Sequence, residues 1–247
     1  MLVIAAAGLS ALLALTGVPA ASSSGSTLEL RFDWPSSGAV TTQRPPAAGG
    51  SAARSVTLSV LTADGGSIQS VKSRSGHGQA LGLPTTGNAI LAVTPRAGAL
   101  TPSGADFRFG ADVNPTGDWT AGANVVQRGL ADDLGQYKLE VDGGRASCSI
   151  KGTSGRVTVY GSRPLTAGDW YRLECSRTSA AVTLRIVRLA SGQTWTSQKA
   201  GKTGAVETAS PSTALAIGGK VTPGGRIASW QPDQFRGAID NISVQIG

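Results

Sequence analysis

The segment Asp106–Val113, which reads DFRFGADV, decides the fold class. Its apolar side chains occupy alternate positions, Phe107, Phe109, Ala111 and Val113. Between them lie Arg108, Gly110 and Asp112. Successive side chains of a β-strand point to opposite faces of its sheet. The pattern therefore predicts a strand with one face in a core and the other toward solvent.

The same two-residue period continues along the chain on both sides of this segment, and Gly- and Pro-rich turns separate its repeats. Fourteen segments fit short strands, and they are Leu28–Asp33, Val56–Thr62, Ile68–Lys72, Ala89–Thr94, Asp106–Val113, Asn124–Arg128, Gln136–Asp142, Ala146–Lys151, Arg156–Tyr160, Asp169–Arg177, Ala181–Leu189, Thr194–Gln198, Ala214–Ile217 and Phe235–Ile246. No window after residue 26 has a helical stripe, and Pro35–Arg54 and Ala200–Ser212 are predicted to be irregular. This spacing predicts an all-β fold in which two antiparallel sheets pack face to face.

Composition agrees with this prediction. The 247 residues include 34 Gly and 12 Pro, without the three-residue period of collagen. The hydrophobic fraction of 40% is large enough for a core, so wholesale disorder is excluded. Met occurs once and Glu four times, which leaves few residues that favour helices.

The net charge of +7 comes from 22 basic residues, 16 of them Arg, against 15 acidic ones. The basic residues are scattered singly along the predicted strands, and no Arg-rich run or nucleic-acid-binding motif accompanies them. Nucleic acid is therefore not expected as a partner. A dispersed positive surface favours weak adhesion to anionic polymers, and it is equally consistent with solubility alone.

The segment Leu2–Ala20 is apolar and carries no charge, and small residues occupy the −3 and −1 positions of a cleavage site at Val18-Pro19-Ala20. We interpret residues 1–20 as a secretory signal peptide, residues 21–27 as a short linker, and residues 28–247 as one β-sandwich. The protein is thus expected to be secreted. The alternative is a transmembrane anchor that is retained, since nineteen residues can just span a bilayer.

Two cysteines, Cys148 and Cys175, lie on alternating segments. An even number of cysteines in an exported protein favours a disulfide, here between two strands. Two unpaired buried thiols are the alternative.

Several short strings resemble the laminin G-like and concanavalin A-like jelly-roll family, particularly its secreted bacterial members. In the order in which the family has them, these strings are Leu100–Phe107, Asn124–Gly129 with Gly135–Leu139, Asp169–Cys175, and Phe235–Val244. The last of them is similar to the family's closing strand, Phe-x-Gly-x-Ile-Asp-x-Val. The resemblance covers about residues 89–247, and it implies a two-sheet antiparallel jelly-roll sandwich.

The same resemblance implies a structural Ca²⁺. In such families the Asp of the closing strand commonly ligates calcium beside the N-terminal strand, which corresponds here to Asp240. Backbone carbonyls of Leu28–Asp33 and the side chain of Asp33 would complete the set, because Ca²⁺ takes several oxygen ligands. In the alternative, Asp240 bonds to a turn or pairs with an Arg.

Endoglucanases of this fold class resemble one another in a Glu-x-Asp-x-x-Glu strand, which directs three carboxylates into one cleft. The match here is Glu140-Val141-Asp142, but Arg145 stands where the acid/base Glu is required. The single histidine, His77, lies between glycines and without a nucleophile motif. We therefore expect no enzyme activity.

Among the five tryptophans, Trp170 is predicted to be in the core beside Leu173, whereas Trp119 and Trp230 lie in turn-rich stretches. Exposed indoles stack on sugar rings, so Trp119 and Trp230 are the candidate ligand-binding residues; anchoring of loops is the alternative.

The predicted function is a secreted, non-catalytic carbohydrate-binding or adhesion module that binds a polysaccharide or another extracellular glycan. The alternatives are a structural or adhesive protein of the cell envelope without a small ligand, and an atypical polysaccharide-active enzyme.

Overall fold

The computed structural model describes residues 25–31, 38–41, 46–74, 78–96, 98–118 and 122–247. These ranges contain one 3₁₀ turn, Ala53–Ser55, and no helix that is long and apolar enough to cross a membrane. The strands are β1 (Ser26–Arg31), β2 (Gly38–Val40), β3 (Ala47–Gly49), β4 (Val56–Ala63), β5 (Ile68–Lys72), β6 (Gln79–Leu83), β7 (Asn88–Pro95), β8 (Phe107–Pro115), β9 (Ala123–Arg128), β10 (Gln136–Asp142), β11 (Arg145–Gly152), β12 (Gly155–Tyr160), β13 (Tyr171–Arg177), β14 (Ala181–Arg188), β15 (Gln193–Ala200), β16 (Leu215–Ile217) and β17 (Gly237–Ile246).

The strands form two antiparallel sheets. The order of the ten-stranded sheet is β15-β14-β13-β8-β17-β6-β5-β2, and β1 adds to β17 and carries β3 on its other side. The order of the seven-stranded sheet is β12-β11-β10-β9-β16-β7-β4. Neighbouring strands are often distant in sequence, as in a jelly roll. The predicted all-β, two-sheet jelly-roll sandwich is confirmed.

The strand predicted from Asp106–Val113 lies inside the ten-stranded sheet, between β13 and β17. Phe107 and Phe109 point into the core and contact Tyr137 of the opposite sheet, with ring centroids 5.4 and 4.9 Å from that of the tyrosine. The alternation in this segment thus places its aromatic residues between the two sheets.

Three strands were not predicted. β2 and β3 lie inside the segment Pro35–Arg54, which was wrongly predicted to be irregular throughout. β6 was also missed, because Gly78 and Gly82 indicate a loop. A Cβ atom at Gly82 would lie 2.6 Å from a methyl group of Val71 on the neighbouring strand, so the glycine permits close packing of β5 and β6.

Cys148 and Cys175 form the predicted disulfide, with their Cα atoms 5.8 Å apart. Cys148 belongs to β11 of the seven-stranded sheet and Cys175 to β13 of the ten-stranded sheet, so the bond joins the two layers across the core.

Two of the 22 basic residues, Arg128 and Arg177, are buried and so do not contribute to the predicted dispersed positive surface. Arg128 is fully buried, and its guanidinium donates hydrogen bonds to the carbonyl oxygens of Leu100 and Thr213 at 3.0 and 2.9 Å. Arg177 is almost fully buried and donates to the Gly204 carbonyl at 2.7 Å. Both side chains therefore fasten connecting segments to the sandwich.

Tyr137, in the core beside Arg128, is expected to make the folded protein less stable at alkaline pH. Burial raises the pKa of Tyr137 to about 12, because its ionised form would lose contact with water. Since the folded pKa exceeds the unfolded value near 10, this contribution is complete below pH 10 and is lost as pH rises from about 10 to 12. Between pH 8 and pH 11 the loss is about 1.4 kcal/mol.

Chemical unfolding at pH 8 and pH 11 measures this loss. The Tyr137→Phe variant gives up the hydrogen bond to the Leu100 carbonyl, 3.1 Å long, but it cannot ionise. Its free energy of unfolding should fall by about 1.4 kcal/mol less than that of the unmodified protein over this interval. Equal decreases in the two proteins would show that Tyr137 ionises normally in the folded state.

Candidate functional site

The outer face of the seven-stranded sheet carries polar side chains in three rows across β9–β12. The first row is Tyr160, Ser147, Glu140 and Asn124; the second is Thr158, Ser149, Lys138 and Gln127; the third is Arg156, Lys151 and Gln136. Six of these eleven side chains are buried although they point away from the core. Neighbouring side chains cover the short Ser147 and Ser149, whereas Gln127 and Gln136 lie between residues 130–132 and 220–231 of two other chain segments. This face is therefore recessed beside β9 and β10.

The segment 218–234, between β16 and β17, covers the neighbouring half of this face. Val221 packs against Ile90 and Ala216, which point outward from β7 and β16. Asp233 ties the segment to the polar rows, since it accepts a hydrogen bond from the Asn124 amide at 3.2 Å. Apolar contacts and a buried polar contact thus hold this segment on the sheet.

A cavity of about 230 Å³ lies between this segment and the loop after β9. Its lining is Gln127, Leu130, Ala131, Asp132, Gln136, Lys138, Arg156, Lys220, Trp230 and Gln231. Trp230 stands at its edge with 69% of its surface exposed. The cavity therefore combines an exposed indole with side chains that can donate and side chains that can accept hydrogen bonds.

Lysines neutralise the two buried carboxylates of this face. Lys138 Nζ lies 2.5 Å from Glu140 Oε2, and the Ser147 hydroxyl donates to Glu140 Oε1 at 2.9 Å. Lys220 Nζ lies 2.7 Å from Asp233 Oδ2. Each carboxylate is thus held in a local ion pair, which suits a polar floor for binding better than proton transfer.

Two buried acceptors on this face have no partner within the described part of the chain. They are Asn124 Oδ1 and Asp233 Oδ1. A buried polar atom without a hydrogen bond is costly, so this is a place for an ordered water molecule.

The structure places one of the predicted ligand-binding residues, Trp230, at the cavity. The other, Trp119, lies outside the described residues, as do Asp33, His77 and the whole predicted signal segment 1–20. Trp170 is half-buried and precedes β13, so its predicted core position is wrong; the adjacent Tyr171 occupies the core.

Asp240 lies on the outer face of the other sheet, so it is not part of the cavity. Its Oδ1 atom accepts a hydrogen bond from the backbone N–H of Asn241 at 2.8 Å. The guanidinium of Arg172 is close by: hydrogen bonding to Asp112 raises its pKa, and the charges of Asp112, Glu174 and Asp240 act in the same direction.

No group of three or more His, Cys, Asp or Glu residues that could hold a metal ion occurs within the described ranges. The described surroundings of Asp240 contain the positive charge of Arg172 together with the carboxylates of Asp112 and Glu174. Since Asp33 lies outside these ranges, calcium at Asp240 stays a prediction.

Sequence reasoning missed Tyr160 and the polar rows. Tyr160 is 60% exposed at the end of β12 and lies in the same row as Glu140. The serines and the lysine at alternate positions of β10 and β11 were a signal of this face. Alternation, however, does not predict the register between strands, and the register decides which side chains lie next to each other in a row.

No protein-family model matches this sequence, and no curated protein matches it either. Solved structures are similar in fold. Domain 4 of AbnA, a GH43 extracellular arabinanase from Geobacillus stearothermophilus, in complex with arabinotriose, has a TM-score of 0.54 and 17% identity. The match covers 89% of this chain and 94% of that domain.

The receptor-binding domain of botulinum neurotoxin D has a TM-score of 0.55 and 10% identity, and the match covers 88% of this chain and 48% of that one. The LG1–3 region of the laminin alpha2 chain has a TM-score of 0.49 and 13% identity over 67% of this chain, which spans about a third (36%) of that region. At such identities the likeness to the two structures with TM-scores above 0.5 concerns the fold alone, which is the β-sandwich inferred from the sequence.

Proposed function

We propose that this chain is a secreted, non-catalytic carbohydrate-binding module that holds a glycan on the outer face of its seven-stranded sheet. In this proposal Trp230 stacks on a sugar ring, and the polar residues below it hydrogen-bond to the hydroxyl groups. The predicted signal segment, together with the disulfide, supports secretion.

The observation that carries the proposal is an exposed indole over a polar cavity. Sugars present apolar C–H faces and hydroxyl edges, so their sites combine a flat aromatic surface with convergent polar groups. Trp230 supplies the first, and Gln231 supplies a neutral donor and acceptor in the same cavity, with Gln127 and Gln136 held by internal hydrogen bonds in its wall. The arabinotriose in the complex with domain 4 of AbnA is consistent with a glycan ligand for this fold.

Tyr160 extends the proposed site. Its row crosses from β12 to β9, three strand spacings or about 14 Å, over the small side chain of Ser147. Two exposed aromatic residues on one recessed face favour an extended oligosaccharide over a single sugar. Polysaccharides are therefore the proposed ligands.

The Trp230→Ala variant tests the proposal. Affinity electrophoresis through gels containing arabinan, mixed-linkage β-glucan, xylan or polygalacturonate should show that at least one polysaccharide retards the unmodified protein. Truncation of a central aromatic contact should weaken that affinity about tenfold or more. Leu134→Ala is the matched control, because Leu134 is 71% exposed, compared with 69% for Trp230, but does not line the cavity.

Equal retardation of Trp230→Ala and the unmodified protein would exclude this face as the binding site. Absence of retardation in every gel would favour the structural or adhesive alternative. An atypical enzyme is the third possibility, since Glu140 lies on this face. The ion pair with Lys138 and the contact with Ser147 argue against it, and we expect no release of reducing sugar from any of these polysaccharides.

A further inference from the structure

We propose that the cavity beside Trp230 selects acidic polysaccharides, and that Arg156 and Lys151 recognise an anionic group on the sugar. This inference rests on the proposed function and adds the chemical class of the ligand. The anionic group is a carboxylate of a uronic acid or a sulfate, both of which present oxygen atoms to a pair of N–H donors.

Arg156 and Lys151 face each other across β11 and β12, on the outer side of the sheet. Both donate to one backbone oxygen, that of Ala131, from Lys151 Nζ at 2.8 Å and Arg156 Nη2 at 3.3 Å. Like charges in directly opposite positions of two strands destabilise a sheet. Neither residue forms a salt bridge within the described ranges, so this repulsion is not relieved by a carboxylate of the protein.

Neutral groups fix the orientation of Arg156. Its Nη1 donates to Gln136 Oε1 at 2.7 Å and to Ser149 Oγ at 3.2 Å. Gln136 is itself buried and donates to the Gly129 carbonyl at 3.1 Å. These acceptors position the guanidinium without cancelling its charge, and Nε donates no hydrogen bond to the described residues. An oriented, charged fork with a free donor is suited to an anion.

The two lysines that line the cavity, unlike Arg156 and Lys151, form salt bridges with carboxylates of the protein. Lys138 and Lys220 are neutralised by Glu140 and Asp233, as described above. On the outer side of the other sheet, Arg172 is paired with Asp112. The uncompensated positive charge of this face is thus concentrated at Arg156 and Lys151, beside Ala131.

Arg156 and Trp230 line the same cavity, so one sugar unit can contact both. The acidic group of a uronic acid lies at the edge of its ring. The ring can therefore face the indole while the acidic group contacts the guanidinium. Asp132 also lines this cavity and has an exposed carboxylate, which would repel such a ligand. Its removal should strengthen binding.

The experiment compares polygalacturonate with its fully methyl-esterified form, which keeps the backbone of the polymer but lacks its charge. Affinity electrophoresis at 50 and 300 mM salt should show about tenfold tighter binding of the acid at the lower salt concentration. Arg156→Gln should weaken binding of the acid about tenfold and weaken binding of the ester by a clearly smaller factor. Asp132→Asn should strengthen binding of the acid.

Two further variants separate recognition from folding. Lys151→Gln removes the adjacent charge at a partly exposed position and should also weaken binding of the acid. Arg185→Gln is the control, since it removes the same charge from an exposed position of β14 in the opposite sheet. It should bind the acid as the unmodified protein does. Circular dichroism spectra that match between variants establish that each one is folded.

The outcomes differ for the two proposals. Equal affinity for acid and ester, lost in both cases in Trp230→Ala, would overturn the acidic-ligand inference and leave the proposed function standing. Retardation of no polysaccharide would overturn both. Stronger binding of heparin than of polygalacturonate, with the same dependence on Arg156, would support the inference and identify sulfate as the group. Equally strong binding of single-stranded DNA with that dependence would overturn it, because the site would then be a general polyanion surface.

Discussion

Replacing Arg128 by methionine should lower the free energy of unfolding by about 2–4 kcal/mol, because neutral acceptors around its buried side chain lose a charged hydrogen-bond donor. The guanidinium is fully buried and donates to the carbonyl oxygens of Leu100, Thr213 and Pro211 and to the Thr101 hydroxyl. Methionine has a similar length but no donor. The Leu100 carbonyl would keep the hydrogen bond from the Tyr137 hydroxyl, and Pro211 is exposed, so the main loss is at the buried Thr213 carbonyl. An unsatisfied buried group costs about 1–3 kcal/mol, and the weakened contacts at Leu100 and Pro211 add to this loss.

Chemical unfolding at pH 7 measures this difference. Burial lowers the pKa of Arg128, but an arginine stays protonated at this pH, so the lost hydrogen bonds are those of a charged donor. Arg185→Met is the matched control at an exposed position and should change the free energy of unfolding by less than about 0.5 kcal/mol. A loss below about 1 kcal/mol for Arg128→Met would mean that the segments around residues 101 and 211 do not depend on this side chain.

The double substitution Cys148→Ala, Cys175→Ala should lower stability by about 3–4 kcal/mol. The disulfide closes a loop with a sequence separation of 27, and this is the loss that the chain-entropy relation gives for such a loop. Because the two cysteines belong to different sheets, the bond joins the two layers in the folded protein, and in the unfolded chain it restricts the separation of the segments that form β11 and β13. At about 2–4 °C per kcal/mol for a protein of this size, Tm should fall by roughly 6–16 °C.

Differential scanning calorimetry with and without a reductant provides the control for the disulfide. Reduction should lower the Tm of the unmodified protein toward that of the double variant and leave the double variant unchanged. A double variant with a Tm within about 2 °C of the unmodified protein would show that packing between the sheets, rather than the covalent bond, determines stability.

The strands could be predicted where side chains alternate clearly, and β5 and β10 begin and end at the residues predicted. β6 could not be predicted in this way, because backbone hydrogen bonds to β5 and β17 define it, and Gly78 before it and Gly82 within it hide the pattern. The short strands β2 and β3 contain too few residues for a period to be visible. Strands held by their neighbours leave little trace in the local sequence.

A register shift explains why the burial of Arg128 was missed. Strict alternation from Asn124, which points outward, would place Arg128 on the outer face. A register shift between β9 and β10 adds one residue, so both Val125 and Val126 are buried. The positions that follow are reversed, with Gln127 outward and Arg128 inward. Such a bulge depends on the partner strand and is not visible in the strand's own sequence.

The candidate site could be predicted in part. Trp230 was identifiable, because an indole in a turn-rich stretch has few ways to be buried. The residues opposite it, Arg156 and Gln136, come from strands whose order in the sheet is set by the whole topology. Their meeting at one cavity therefore could not be derived from spacing along the chain.

Amide chemical-shift mapping tests most directly the claim that this face binds glycans. Trigalacturonate and arabinotriose serve as acidic and neutral probes and are titrated into the isotope-labelled protein. The account predicts that the shifts are confined to β9–β12, the loop at residues 130–133 and the segment 218–234, and that trigalacturonate also shifts the Nε resonance of Arg156. Shifts concentrated on the outer face of the ten-stranded sheet, around Arg108, Arg172 and Arg185, would contradict it.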